Sequence, residues 1–330
     1  MIGTGYAAKA RTGALETDSR ARTIAVAGRD DCRSAQFAQA HGLRAMRSWQ
    51  ALAADDSVDL VVIATVSALH GEIAEAALKA GKHVVVEYPL SFDVMQAERL
   101  VDLAARRGLL LHVEHIELLG GLHRAMRAGL DNVGEARYVS YRTLNPQNPA
   151  PRKWTYRRAL FGFAYFGALS RVQRMVNLFG AVRRVSCCTQ YLGDDEFGKD
   201  WFRGVMSSAR LEFECGVVAE LTYGKGEGLW IRRRDVEIQG RRGAIAFTGN
   251  QGKLVTAEGA QIIAVEPRKG LFVKDTDAVL GHLTEGTSLY VSAAESLYAL
   301  RVADALRRAS ESGQTVEMEG SASSMLTDER

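Results

Sequence analysis

Gly3-Thr4-Gly5-Tyr6-Ala7-Ala8 reads as G-x-G-x-x-A, and the fold turns on it. At a strand-to-helix turn the two glycines let backbone amides approach a pyrophosphate, and the small last residue lets the helix pack on its strand. An apolar run at 23–27 follows at the interval a βαβ unit requires. From there to about Gly120, apolar runs at 60–64, 83–87 and 109–113 alternate with helical periodicity at 32–41, 69–80 and 92–107. Runs that are apolar throughout belong to parallel strands covered by helices on both faces. An N-terminal doubly wound parallel sheet is therefore predicted. Only Met1 and Ile2 precede the loop, so its first strand is largely missing from this sequence. A true start further upstream is expected, and mass spectrometry of the native N-terminus checks it.

Past Gly134 the pattern changes to longer alternating strands, at 136–141, 185–191, 210–214, 217–223, 235–239 and 243–247. Such alternation marks a mainly antiparallel sheet with one covered face. A helix at 166–179, stopped by Gly180, interrupts it, and helices at 275–285 and 293–310 close the chain. The tail 320–330 is polar and expected to fray. The expected domains are a dinucleotide-binding unit at 1–120 and a sheet-rich α+β substrate unit at 121–330. The C-terminal helix is expected to pack back on the first.

The chain has 330 residues, 47% of them apolar and 25% charged, which suits two globular domains. A net charge of +3 is too small to predict nucleic-acid binding. Four cysteines without C-x-x-C spacing suggest neither a disulfide framework nor a metal site. No apolar run is long enough for a membrane span, and no signal-peptide pattern appears, so a cytoplasmic protein is expected.

The end of the second strand reads Gly28-Arg29-Asp30. A glycine where NAD enzymes carry an acid, followed by an arginine able to pair with a 2′-phosphate, favours NADPH, with NADH as the weaker alternative. With Gly3, Thr4, Gly5, Tyr6 and Ala7, the residues Gly28, Arg29, Ala64, Thr65, His70 and Glu87 are expected to bind the cofactor. Glu87 and Tyr88 leave one strand at the sheet's carboxyl rim, and His112, Glu114, His115 and Glu117 leave the next. The spacing of those last four divides them between two strand faces, which disfavours a metal. The stretch Pro149-Ala150-Pro151-Arg152-Lys153-Trp154-Thr155-Tyr156-Arg157-Arg158 is basic and aromatic. Ser170, Arg171 and Arg174 lie on the 166–179 helix, where an arginine on an apolar face demands an anionic or carbonyl-rich partner.

Gly81-Lys82-His83-Val84-Val85-Val86-Glu87-Tyr88-Pro89 resembles the superfamily of glucose-fructose oxidoreductase and inositol dehydrogenase. There the segment usually continues Lys-Pro after the glutamate, and sugar-oxidising members carry Asp-x-x-x-His on the helix ending like Leu178-Phe179-Gly180. Tyr88, Phe166 and Ser170 stand at those positions, so alcohol oxidation has no apparent general base. A closer resemblance, to the biliverdin reductases and specifically their cyanobacterial form, is carried by several segments. They are Glu87-Tyr88-Pro89, residues 111–121, 147–151, 154–156, 161–163, Ala168-Leu169-Ser170-Arg171, Tyr223-Gly224-Lys225-Gly226-Glu227 and Gly270-Leu271-Phe272. It implies NADPH-dependent reduction of the C10 methine bridge of biliverdin to bilirubin, by a monomer. Arg171, Tyr88, Glu87 and His70 are then the expected catalytic residues. Tyr88, Glu114, His115, Arg152, Trp154, Ser170, Arg171 and Arg174 are the expected substrate contacts. Arg152, Lys153, Arg157, Arg158 and Arg232 to Arg234 are candidates for the two propionates. A sugar or polyol dehydrogenase and a catalytically silent NADP-binding sensor are the alternatives.

Overall fold

The computed structural model describes residues 1–193, 198 and 200–318, which form two compact units. The first unit joins Met1–Leu119 to Gly270–Leu297, and the second joins Gly120–Lys269 to the residues from Tyr298 onward. The expected tail 320–330 lies outside the described residues.

In the first unit the elements alternate: α1 (Tyr6–Glu16), β1 (Ala25–Val26), α2 (Asp31–His41), β2 (Arg44–Ala45), α3 (Trp49–Ala53), β3 (Leu60–Ile63), α4 (His70–Lys79), β4 (His83–Val86), α5 (Val94–Arg107) and β5 (Leu111–Val113). All pairings are parallel, in the groups β1-β2 and β3-β4-β5. Ile2 joins the two groups. Its amide donates to Val62 (2.8 Å) and its carbonyl accepts from Ala64 (2.8 Å), while Ala27 donates to Met1 (3.0 Å) and Gly3 to Ala27 (2.8 Å). Two residues thus hold the central strand's place, and the doubly wound order follows. Met1, Ala8, Val26, Phe37, Val62, Ala64 and Val85 pack as one buried cluster around this junction.

The second unit opens on α6 (Gly121–Val133) and β6 (Ala136–Pro146), then runs through α7 (Arg158–Phe161), α8 (Ala164–Gly167), α9 (Leu169–Phe179), β7 (Val182–Leu192), β8 (Gly204–Phe213), β9 (Val218–Gly226), β10 (Arg233–Gly240), β11 (Gly243–Thr248), β12 (Gln251–Thr256) and β13 (Gly259–Ala264). Downstream lie α10 (Leu271–Glu285), belonging to the first unit, α11 (Ala293–Ser312) and β14 (Val316–Glu317). The sheet has nine strands in the order β13-β12-β11-β10-β6-β9-β8-β7-β14, antiparallel except for β6 with β9.

The short elements β2, α3, α7 and β14 were not expected, and three larger departures from the sequence reading have a physical reason. The 166–179 helix is two helices, α8 and α9, broken at Ala168. The β12–β13 hairpin was not expected because β13 is exposed almost throughout, so no face of it is marked by apolar residues. Helix α6 was hidden by its glycines, which lower helix propensity. Gly129 packs closely there, since a Cβ would meet Ile245 Cδ1 at 2.8 Å.

His123 on α6 meets Asn177 Oδ1 on α9 at 2.8 Å, and burial with the nearby Arg174 lowers its pKa to about 4. A histidine whose folded pKa lies below its unfolded value of about 6.5 leaves stability intact above that value. Stability is then lost as the pH falls toward 4. The urea midpoint of the wild type is therefore expected to drop more between pH 7.5 and 5 than that of His123→Gln, which lacks the titration. Equal drops would show that His123 does not contribute.

Candidate active site

The phosphate loop is built from backbone. Gly3 has φ +121°, and a Cβ there would lie 2.1 Å from Ala64 O. At Gly5, the N-cap of α1, a Cβ would meet nothing within 4 Å, so the helix amides open onto free space. No side chain caps that end, and no acid lies in the first turn. These residues fit an anionic pyrophosphate. Gly3→Ala is expected to abolish measurable dinucleotide binding by calorimetry and to lower the melting temperature; unchanged binding would remove the loop from the site.

Thr4 and Gly28 close the loop from the side, where a Cβ on Gly28 would lie 2.7 Å from Ser34 Oγ and 3.2 Å from Thr4 Cγ2. Arg29 is exposed. Asp30 turns away to cap α2, accepting from the Arg33 amide at 3.0 Å. Tyr6 is exposed, with its ring edge-on to Phe272 at 6.1 Å.

At the carboxyl rim His70 is a brace. Its Nδ1 lies 2.8 Å from Pro89 O and its Nε2 3.3 Å from Thr65 O, and burial lowers its pKa despite those carbonyls. It ties the loop after β3 to the loop after β4. At 1% exposure it is a positioning group, not the catalytic contact expected from sequence. Tyr88 is half-buried and lies parallel to the His115 ring, at 5.8 Å between centroids and 1° between planes. His115 is buried, 2.8 Å from Ser296 Oγ, and desolvation pulls its pKa down to about 3. It therefore supports Tyr88 as a neutral ring from behind instead of touching substrate. Glu114 is equally enclosed: its carboxylate oxygen accepts from the Ile116 amide at 2.8 Å, and burial together with Glu87 raises its pKa well above the ordinary range.

Beneath the rim lies a network that the sequence did not reveal. Arg11 of α1, 2% exposed, donates through Nε to Glu87 (2.6 Å) and through Nη1 to Asp275 (2.6 Å). Asp275 also accepts from Tyr290 Oη (2.5 Å) and lies 2.8 Å from His112 Nε2. Burial alone would push the Asp275 carboxyl up, but Arg11 and its other partners hold it below the usual range. Arg11 shares the buried stripe of Ala8, Thr12 and Leu15. A cation on that stripe was the one available sign.

In the second unit Arg171 is half-buried at the start of α9. Its guanidinium carbon lies 5.5 Å from the Tyr223 ring on β9, and Nη1 donates to Ser170 Oγ at 3.0 Å. One turn on, Arg174 is fully buried and donates to Tyr141 Oη at 2.5 Å. Its role is to anchor α9 to β6, and it has no access to substrate. Tyr165 fixes the same helix pair to the sheet by donating to Leu221 O at 2.8 Å.

Arg152 lines a cavity with Pro149, Pro151, Tyr156, Trp201 and Arg203. Trp154 packs on Phe161, with 6.5 Å between centroids. Lys225, which the sequence reading left without a role, donates to Thr155 O and points into the faces of Phe161 (3.4 Å), Tyr156 (4.6 Å) and Phe202 (5.3 Å). Burial lowers its pKa to about 7, while the ring faces favour its charged form.

A dinucleotide loop on a parallel sheet, followed by a large open sheet, defines a two-domain nicotinamide oxidoreductase. Residues 1–115 match the NAD-binding Rossmann fold of an oxidoreductase family, and residues 129–318 match the C-terminal alpha/beta domain of that family. The chain belongs to this GFO/IDH/MocA family. It is similar to the crystal structure of biliverdin reductase from Synechocystis sp. PCC 6803 in complex with biliverdin and NADP+. Identity is 45% and the TM-score 0.91, with 93% of this chain and 97% of that chain covered. It is 29% identical to biliverdin reductase A of Mus musculus over 258 residues, 76% of each protein. It is also 30% identical over 252 residues to dTDP-3,4-didehydro-2,6-dideoxy-alpha-D-glucose 3-reductase of Saccharopolyspora spinosa, covering 75% of this chain and 72% of that one. Among the described residues no helix is long and apolar enough to cross a membrane.

Proposed function

We propose that the protein reduces the C10 methine bridge of biliverdin, giving bilirubin at the expense of NADPH. The observation that carries this reading is Arg171 held over Tyr223, in a chain whose rim residue after Glu87 is Tyr88. Neither an ammonium nor an imidazole stands where an alcohol oxidation needs a base, because Phe166 and Ser170 are buried at the remaining two positions. The likeness to the Synechocystis enzyme supports the same substrate.

The residues divide the work as follows. The amides of the Gly3–Gly5 loop bind pyrophosphate, and Gly28 with Arg29 favours a 2′-phosphate, since Asp30 is engaged as a helix cap. The nicotinamide supplies hydride. Addition of hydride at C10 moves an electron pair toward a central pyrrole nitrogen, which takes a proton from solvent; biliverdin, NADPH and a proton become bilirubin and NADP+. Arg171 stabilises that developing charge and orders the water that brings the proton. A guanidinium with a pKa above about 12 is itself a poor acid. Tyr88, fixed by His115, positions the planar substrate.

The test is an absorbance assay with biliverdin and NADPH, repeated with NADH. Loss of the red bilin band with growth of a blue-absorbing bilirubin band, faster with NADPH, is the expected result. Bound cofactor without spectral change would transfer the reading to a silent sensor.

A further inference from the structure

The inner face of the large sheet, the one α6 and α9 cover, singles out one more substrate-binding residue. Side chains alternate along a strand, so Tyr141 and Thr143 of β6, Leu221 and Tyr223 of β9, and Arg234, Val236 and Ile238 of β10 share that face. Tyr141, Leu221, Val236 and Ile238 are buried there. The register sets Arg234 beside Thr143, and Thr143 beside Tyr223, the ring under Arg171. Burial fades along the same row: Tyr141 is enclosed, Thr143 half-buried and Arg234 exposed. Thr143 and Arg234 thus form the less enclosed strip of this face.

Arg234 is the arginine on this strip, and no acid among the described residues pairs with it. Three other cations of the two basic stretches are placed differently. Arg233 points to the outer face, where its neighbour Asp235 pairs with Arg142 at 2.6 Å. Arg157 is held by Asp200 at 2.6 Å, and Arg158 lies on the Tyr191 ring at 4.2 Å. Arg234 and Tyr223 are two strand spacings apart, about 10 Å. The propionates of biliverdin sit on the two pyrrole rings that flank C10, so a carboxylate anchor is needed at a short distance from the group that faces the bridge.

We propose that Arg234 is the propionate anchor of the bilin site, gripping one carboxylate through its guanidinium fork. This inference rests on the bilin reading above. The test compares wild type, Arg234→Gln and Arg233→Gln with biliverdin and with its dimethyl ester, whose propionates carry no charge. For Arg234→Gln, KM for biliverdin is expected to rise about tenfold to a hundredfold with kcat within about twofold, as for loss of a charged hydrogen bond. KM for the ester should be the same in Arg234→Gln as in wild type. Arg233→Gln should behave as wild type with both substrates, and Arg234→Lys should recover only part of the loss. An unchanged KM in Arg234→Gln, or an equal rise in Arg233→Gln, overturns the anchor while the bilin reading stands. A wild type that turns over neither substrate overturns both.

Discussion

Arg171→Ala is expected to lower kcat for biliverdin reduction by about 10²–10³-fold, with NADPH affinity unchanged. The size follows from what the guanidinium does. It is half-buried, set by Ser170 at 3.0 Å and by the Tyr223 face, and so pre-oriented before any substrate arrives. A preorganised cation that meets charge only as it develops contributes to kcat more than to KM. Arg171→Lys keeps a charge and loses the fork, so an intermediate rate is expected. If Arg171→Ala retained full kcat, the group acting on the pyrrole nitrogen would have to be sought elsewhere.

Arg11→Met is expected to destabilise the protein by about 3–5 kcal/mol, read as a lower urea midpoint at unchanged m-value. The variant leaves the Asp275 carboxylate, with a fully enclosed side chain, without its cation, and it releases Glu87 beside the buried Glu114. The dependence on pH has a definite sign. Asp275 is held below its ordinary value of 3.8, so its pairing with Arg11 stabilises the fold above that pH and is lost as pH falls further. The deficit of Arg11→Met should therefore be largest at neutral pH and shrink below about pH 4. Adding Asp275→Asn to Arg11→Met should recover part of the loss, because the orphaned charge is gone. A deficit that stays constant with pH would mean that Arg11 acts through packing alone.

Local patterns made the architecture legible. Continuous apolar runs gave the parallel strands, alternation gave the open sheet, and the Gly3–Ala8 loop marked the dinucleotide end. The β12–β13 hairpin escaped because an exposed edge buries no stripe, and α6 because its glycines serve packing and depress propensity. Sequence also named Tyr88 and Arg171, each of which is half-buried in its own unit. It could not distinguish rim from interior, however. Glu114 and His115 leave the strand next to that of Tyr88, and Arg174 lies one turn from Arg171, yet each is turned inward, a difference set by tertiary burial. Arg11, Asp275 and Tyr290 are far apart in the chain and meet only through folding, so no motif could announce them. Strand register, likewise unavailable from spacing, is what separates Arg234 from Arg233.

The central claim is hydride addition at C10, and isotopic transfer tests it most directly. With NADPH deuterated at the transferable position of its nicotinamide, the bilirubin formed should carry one deuterium, and NMR should place it on the C10 methylene. Bilirubin without deuterium, deuterium at another carbon, or no bilin reduction by protein that binds NADPH would contradict the account.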